Sequence, residues 1–176
     1  MKNKILLIVT GSISAYKAPS IANALRTEGN EVKIVLTNSA LKFITKLSFS
    51  AQGFETYTDE DDWNSNRVLH IDLQQWADKV LIAPCSANTL AKISNGLADN
   101  LATNILRAQP KQKPLYIALA MNTEMYLKEI TKRQILNIGE DFNVYFIEPQ
   151  SKVLACGDEG IGALANISEI LITINK

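Results

Sequence analysis

The chain has 176 residues, 47% of them hydrophobic and 20% charged, which is the make-up of one globular domain with a substantial core. Eighteen basic side chains balance eighteen acidic ones, so no global charge draws the protein to nucleic acid or to an anionic membrane. The apolar run Ile5–Val9 is too short for a signal-peptide core or a membrane span, so a cytoplasmic protein is expected, and two cysteines there make a disulfide framework unexpected.

Short apolar runs alternate with helical patterns along the chain. Ile5–Val9 reads as a buried strand. Ser14–Glu28 reads as a helix, with Ala18, Ile21, Ala22 and Leu25 on one face and Gly29 as its stop. Val32–Leu36 is a second strand, followed by a short helix over Asn38–Phe43. The acidic run Asp59-Glu60-Asp61-Asp62 lies in the longest stretch without periodicity and is expected to be a solvated loop. His70 stands at the start of a short amphipathic helix. Val80–Ala83 is a third strand, and Ser86 to Asn95 a helix broken by Gly96. Asp99 is the expected N-cap of a helix through Leu106. Pro114–Ala118 and Val144–Ile147 complete the strands. Ile167, Ile170, Leu171 and Ile174 mark a final amphipathic helix. This alternation implies an α/β fold over residues 1–176, a parallel sheet with helices on both faces. Ligands of such sheets bind beyond the carboxyl ends of the strands.

Three post-strand segments therefore hold the candidate chemistry. Thr10–Ala15 combines Gly11 with hydroxyls, which allows either a capped turn or a phosphate site at a helix N-terminus. It has neither the dinucleotide glycine fingerprint nor a lysine at Walker spacing. Pro84–Thr89 brings Ser86, Asn88 and Thr89 to a strand–helix junction, as helix caps or as ligand donors. In Ala120–Tyr126, Asn122 offers both a donor and an acceptor to a carboxylate or amide. His70 is the only histidine. Cys156 lies among Gly157, Gly160 and Gly162 in a stretch read as a mobile loop, which makes it a candidate reactive thiol, whereas Cys85 reads as packing. No His, Cys and carboxylate grouping has metal-ligand spacing, so no metal site is expected.

In order, Gly11-Ser12-Ile13, Leu69-His70-Ile71-Asp72-Leu73, Pro84-Cys85-Ser86-Ala87-Asn88-Thr89, Ala120-Met121-Asn122-Thr123-Glu124-Met125-Tyr126 and Leu154-Ala155-Cys156-Gly157-Asp158 resemble the motif series of the phosphopantothenoylcysteine decarboxylases. The run Tyr57–Trp63 is similar to the stand-alone members of that family. The resemblance implies a Rossmann-like, flavodoxin-related single domain, FMN as cofactor, and a carboxy-lyase of coenzyme A biosynthesis. In that reaction the substrate thiol is transiently oxidised, carbon dioxide leaves, and the product is reduced again. It also implies a homo-oligomer, a trimer or an assembly of trimers, with active sites between subunits. By the same resemblance Gly11, Ser12, Ile13, Thr37, Asn38, Ser39, Ser86, Ala87, Asn88, Thr89 and Ala120 contact FMN. Asn122, with Met121, Ala155 and Gly157, holds phosphopantothenoylcysteine, and His70 and Cys156 are catalytic. Leu119 replaces a usual proline, an exchange expected to loosen the turn before Asn122, and Tyr126 replaces a usual tryptophan. The alternatives are a peptidyl-cysteine decarboxylase of lantibiotic maturation, a non-enzymatic phosphatase-regulatory homologue and a flavin prenyltransferase.

Overall fold

The computed structural model describes residues 2–153 and 159–176. Strands β1 (Lys4–Val9), β2 (Glu31–Leu36), β3 (Thr56–Tyr57), β4 (Lys79–Cys85), β5 (Leu115–Leu119) and β6 (Val144–Ile147) form one sheet. It is parallel throughout, in the order β3-β2-β1-β4-β5-β6. This is the doubly wound Rossmann order, whose direction of winding reverses between β1 and β4 and opens a crevice there.

Side chains of successive strand residues point to opposite faces, so each apolar run feeds two cores. Leu6, Ile8, Val80, Ile82 and Ile117 face helices α4 (Leu69–Trp76), α5 (Ala87–Ser94), α6 (Leu101–Arg107) and α8 (Glu129–Asp141). Ile5, Leu7, Val9, Ile34 and Leu81 face α1 (Ala18–Thr27) and α9 (Ile167–Ile174). Each such buried aliphatic side chain stabilises the fold by about 1.5–3 kcal/mol relative to exposure. Three short helices, α2 (Leu47–Ser50), α3 (Asp59–Trp63) and α7 (Thr123–Leu127), lie at connections. The antiparallel pair β7 (Gln150–Val153) and β8 (Glu159–Ala163) stands apart from the sheet.

Several expectations are corrected. The helix read over Ser14–Glu28 is a 3-10 turn, Ile13–Lys17, followed by α1. Pro19 has no N–H to donate four residues back, and it is tolerated only in a first turn, so the α-helix begins at Ala18. The helix over 38–43 contracts to a 3-10 turn at Ala40–Lys42. Asn100, not Asp99, caps α6: its side chain accepts the Thr103 N–H at 3.0 Å, while Asp99 pairs with Lys92 at 2.5 Å. The acidic run is helix α3 and not a solvated loop. Its carboxylates sit in a first turn, where the helix dipole favours negative charge. Part of the glycine-rich stretch read as a mobile loop, Glu159–Ala163, is strand β8. Helix α8 escaped the periodicity reading because only Thr131 and Ile138 of its thirteen residues are buried.

Candidate active site

The carboxyl ends of β1, β2, β4 and β5 converge on a cavity of about 1000 Å³, the size of a cofactor or substrate site. The β1 end contributes Gly11, Ser12 and Ile13, and the β2 end Thr37, Asn38 and Ser39. The β4 end supplies Ser86, Ala87, Asn88 and Thr89, and the β5 end Ala120, Met121 and Asn122.

Local hydrogen bonds explain this convergence. The Thr10 hydroxyl donates to the Pro84 carbonyl at 2.8 Å and accepts the Ser86 N–H at 2.9 Å, joining the ends of β1 and β4 where the winding reverses. A Cβ on Gly11 would lie 2.5 Å from the Ser39 Cβ, so only glycine lets these two loops approach. Ser86 caps α5 by accepting the Thr89 N–H at 3.3 Å, and the start of that helix borders the cavity. Helix N-terminal N–H groups of this kind suit an anion. Asn122 caps α7, its side chain accepting the Glu124 N–H at 2.9 Å, so it has a structural duty besides any role with ligand. The turn before it is held by backbone hydrogen bonds. Ala120 N–H donates to the Cys85 carbonyl and Met121 N–H to the Gly162 carbonyl, both at 3.0 Å, and Leu119 is fully buried in the core.

The cavity also takes in residues that sequence reasoning missed. Tyr16 and Lys17 come from the 3-10 turn, Asp59 from α3, Lys92, Asp99 and Asn100 from the α5–α6 junction, Met125 from α7, and Lys152, Gly162 and Ala163 from the hairpin. The close spacing of Gly160 and Gly162 was a usable signal for the hairpin; the others are brought in by contacts between separate segments, such as the hydrogen bond from Leu101 N–H to Asp59. Burial, and then the like charge of Lys152, hold the Lys17 ammonium below its ordinary pKa. The hydrogen bond from Lys92 holds Asp99 below the usual carboxylate range, against an opposing effect of burial.

His70, the second residue of α4, does not line this cavity within its own chain. Its Nδ1 lies 3.9 Å from Asp62 Oδ1. Ala155, Cys156 and Gly157 lie outside the described residues. Cys85 is fully buried, and burial pushes its thiol up to about 12, as suits a packing residue. Tyr126 donates its hydroxyl hydrogen to Glu148. No helix among the described residues is long and apolar enough to cross a membrane.

The family described as Flavoprotein matches residues 1–176. Phosphopantothenoylcysteine decarboxylase of Arabidopsis thaliana is 46% identical over 178 residues, covering 98% of this chain and 84% of the relative. The chain belongs to the phosphopantothenoylcysteine decarboxylase family of flavoproteins. Among solved structures, a cysteine-to-serine mutant of PPC decarboxylase complexed with pantothenoylaminoethenethiol superposes on this family member with a TM-score of 0.93. It is 44% identical and covers 99% of this chain, which covers 97% of it. The FMN binding protein AtHal3 superposes with a TM-score of 0.89 at 45% identity, with coverages of 99% and 96%.

Proposed function

We propose that this family member is an FMN-dependent carboxy-lyase that converts phosphopantothenoylcysteine to phosphopantetheine in coenzyme A biosynthesis. One observation carries the reading: the segments that motif resemblance assigns to the cofactor, together with Met121 and Asn122 of those it assigns to substrate, line a single cavity at the winding reversal of the sheet. The donor set fits FMN. Backbone N–H groups and hydroxyls at the start of α5 suit its phosphate and ribityl chain, and Ala120 and Met121 offer an apolar wall to a flavin ring.

Bound FMN supplies the two-electron oxidation that turns the cysteine thiol into an electron-withdrawing thioaldehyde, and the matching reduction that leaves no net redox change. Asn122 orients the carboxylate that departs as carbon dioxide, and the family resemblance assigns Met121, Ala155 and Gly157 to substrate binding with it. His70 takes up the thiol proton at an imidazole nitrogen. Cys156 donates a proton from Sγ to the enethiolate. The solved cysteine-to-serine mutant in complex with an ethenethiol supports an arrest at this last stage when a thiol is lost. Lys17 and Lys152, which form no ion pair among the described residues, are the cations available to the substrate phosphate.

The family resemblance implies a homotrimer, or an assembly of trimers, and the position of His70 off its own cavity supports a reading in which one protomer's His70 completes a neighbour's site. The exposed apolar side chains Trp63 and Val68 close to it in sequence, 88% and 58% accessible, support a contact there. The chain acts in the cytoplasm as one domain.

The test is mass analysis of products from phosphopantothenoylcysteine and the purified yellow holoprotein. Phosphopantetheine is expected, with one carbon dioxide per turnover. A protein that stays colourless after incubation with FMN, or that decarboxylates only a peptide with a carboxy-terminal cysteine, overturns the reading.

A further inference from the structure

Helix α3 buries no side chain, so polar contacts and not packing hold it. Asp61 closes a capping box with Thr58 and binds Lys46 Nζ at 2.7 and 2.8 Å. Asp59, the first residue of the helix, accepts the Leu101 N–H of α6 at 2.8 Å. Helix α4 packs against the same α6. Both helices are thus referenced to one element, and this sets where Asp62 lies relative to α4. Its Oδ1 is 3.9 Å from His70 Nδ1, the two side chains being 21% and 30% exposed. Asp72, on the first turn of α4, is already engaged by Arg67 Nε at 2.7 Å. No other carboxylate among the described residues comes as close to the ring as Asp62.

We propose that Asp62 is the positioning residue for His70: its carboxylate accepts a hydrogen bond from Nδ1–H of the neutral imidazole and leaves Nε2 as the free lone pair for substrate. The present separation exceeds a hydrogen bond. Catalytic hydrogen bonds are commonly long without ligand and tighten with substrate. Which ring nitrogen bears the proton is set by what the other nitrogen meets. The inference rests on His70 handling a proton in the proposed reaction.

Because His70 is the only histidine, tag-free holoprotein labelled with an NMR-active nitrogen isotope gives the resonances of one ring. The wild-type neutral ring is expected to carry its proton on Nδ1. Asp62→Ala moves the proton to Nε2 and lowers kcat about 10-fold or more with KM unchanged and flavin absorbance intact. Asp62→Glu restores both the tautomer and kcat. A wild-type proton on Nε2 overturns the proposal without any variant. A tautomer unchanged in Asp62→Ala, with kcat lost, sinks the role of Asp62 alone. A tautomer that moves while kcat holds removes His70 from the proposed reaction, and the positioning role with it.

Discussion

Replacing Gly162 by alanine tests the way the β7–β8 hairpin seats against the site. Gly162 has φ +148°, and its carbonyl accepts the Met121 N–H at 3.0 Å. A Cβ there would overlap the Met121 carbonyl oxygen and lie 3.2 Å from its carbon, backbone atoms that no rotamer change can clear. A non-glycine residue in this backbone region costs on the order of 1–3 kcal/mol. Losing the hydrogen bond as the strand backs away adds about 1 kcal/mol. The sum, about 2–4 kcal/mol, is less than the 5–15 kcal/mol of a typical domain, so the chain stays folded. At roughly 2–4 °C per kcal/mol for a chain of this length, Tm falls by about 5–15 °C. Because Gly162, Met121 and Asn122 share one cavity wall, turnover falls further than FMN affinity. Circular dichroism melting, flavin titration and product formation measure the three quantities. A Tm within about 1 °C of wild type together with normal turnover refutes the reasoning.

Cys156→Ser should still release carbon dioxide, because oxidation and decarboxylation precede any need for the thiol proton, and serine is a far weaker acid than cysteine. Mass spectrometry should find a product lighter than phosphopantetheine by one pair of hydrogens, whereas phosphopantetheine at the normal rate would make the thiol dispensable. For Asp61, burial raises the pKa, but hydrogen bonds from Lys46 and Thr58 outweigh it and leave the carboxyl below its ordinary value. Its stabilising contribution is therefore complete above the ordinary aspartate pKa of about 3.9 and is lost as pH falls through the lower folded value. Asp61→Asn should be less stable than wild type in urea at neutral pH, with the gap narrowing toward about pH 3. A gap that stays constant with pH contradicts the assignment.

The strands β1, β4 and β5 could be read in the sequence because strands buried on both faces leave uninterrupted apolar runs such as Ile5–Val9, and β2 and β6 were legible from apolar runs that are only partly buried. Helix ends were legible where a cap or stop residue is local, as with Ser86 and Gly29. They slipped where the decision is tertiary: Asp99 is drawn off to Lys92, and Asn100 caps α6 in its place. Three of the four loop segments of the cavity were legible too, since the carboxyl ends of parallel strands necessarily share one edge of the sheet, and the fourth, residues 37–39, was given by the family resemblance. Residue order alone thus determined the sheet and its ligand-facing edge. Only the tertiary structure decided that Lys17, Asp59 and Lys152 reach that cavity, that His70 faces Asp62 away from it, and that Gly160 and Gly162 lie in a strand seated on Thr123 and Met121. Those positions depend on how helices and the hairpin pack over the sheet, between segments far apart in the chain, and the periodicity of a single segment does not encode such distances.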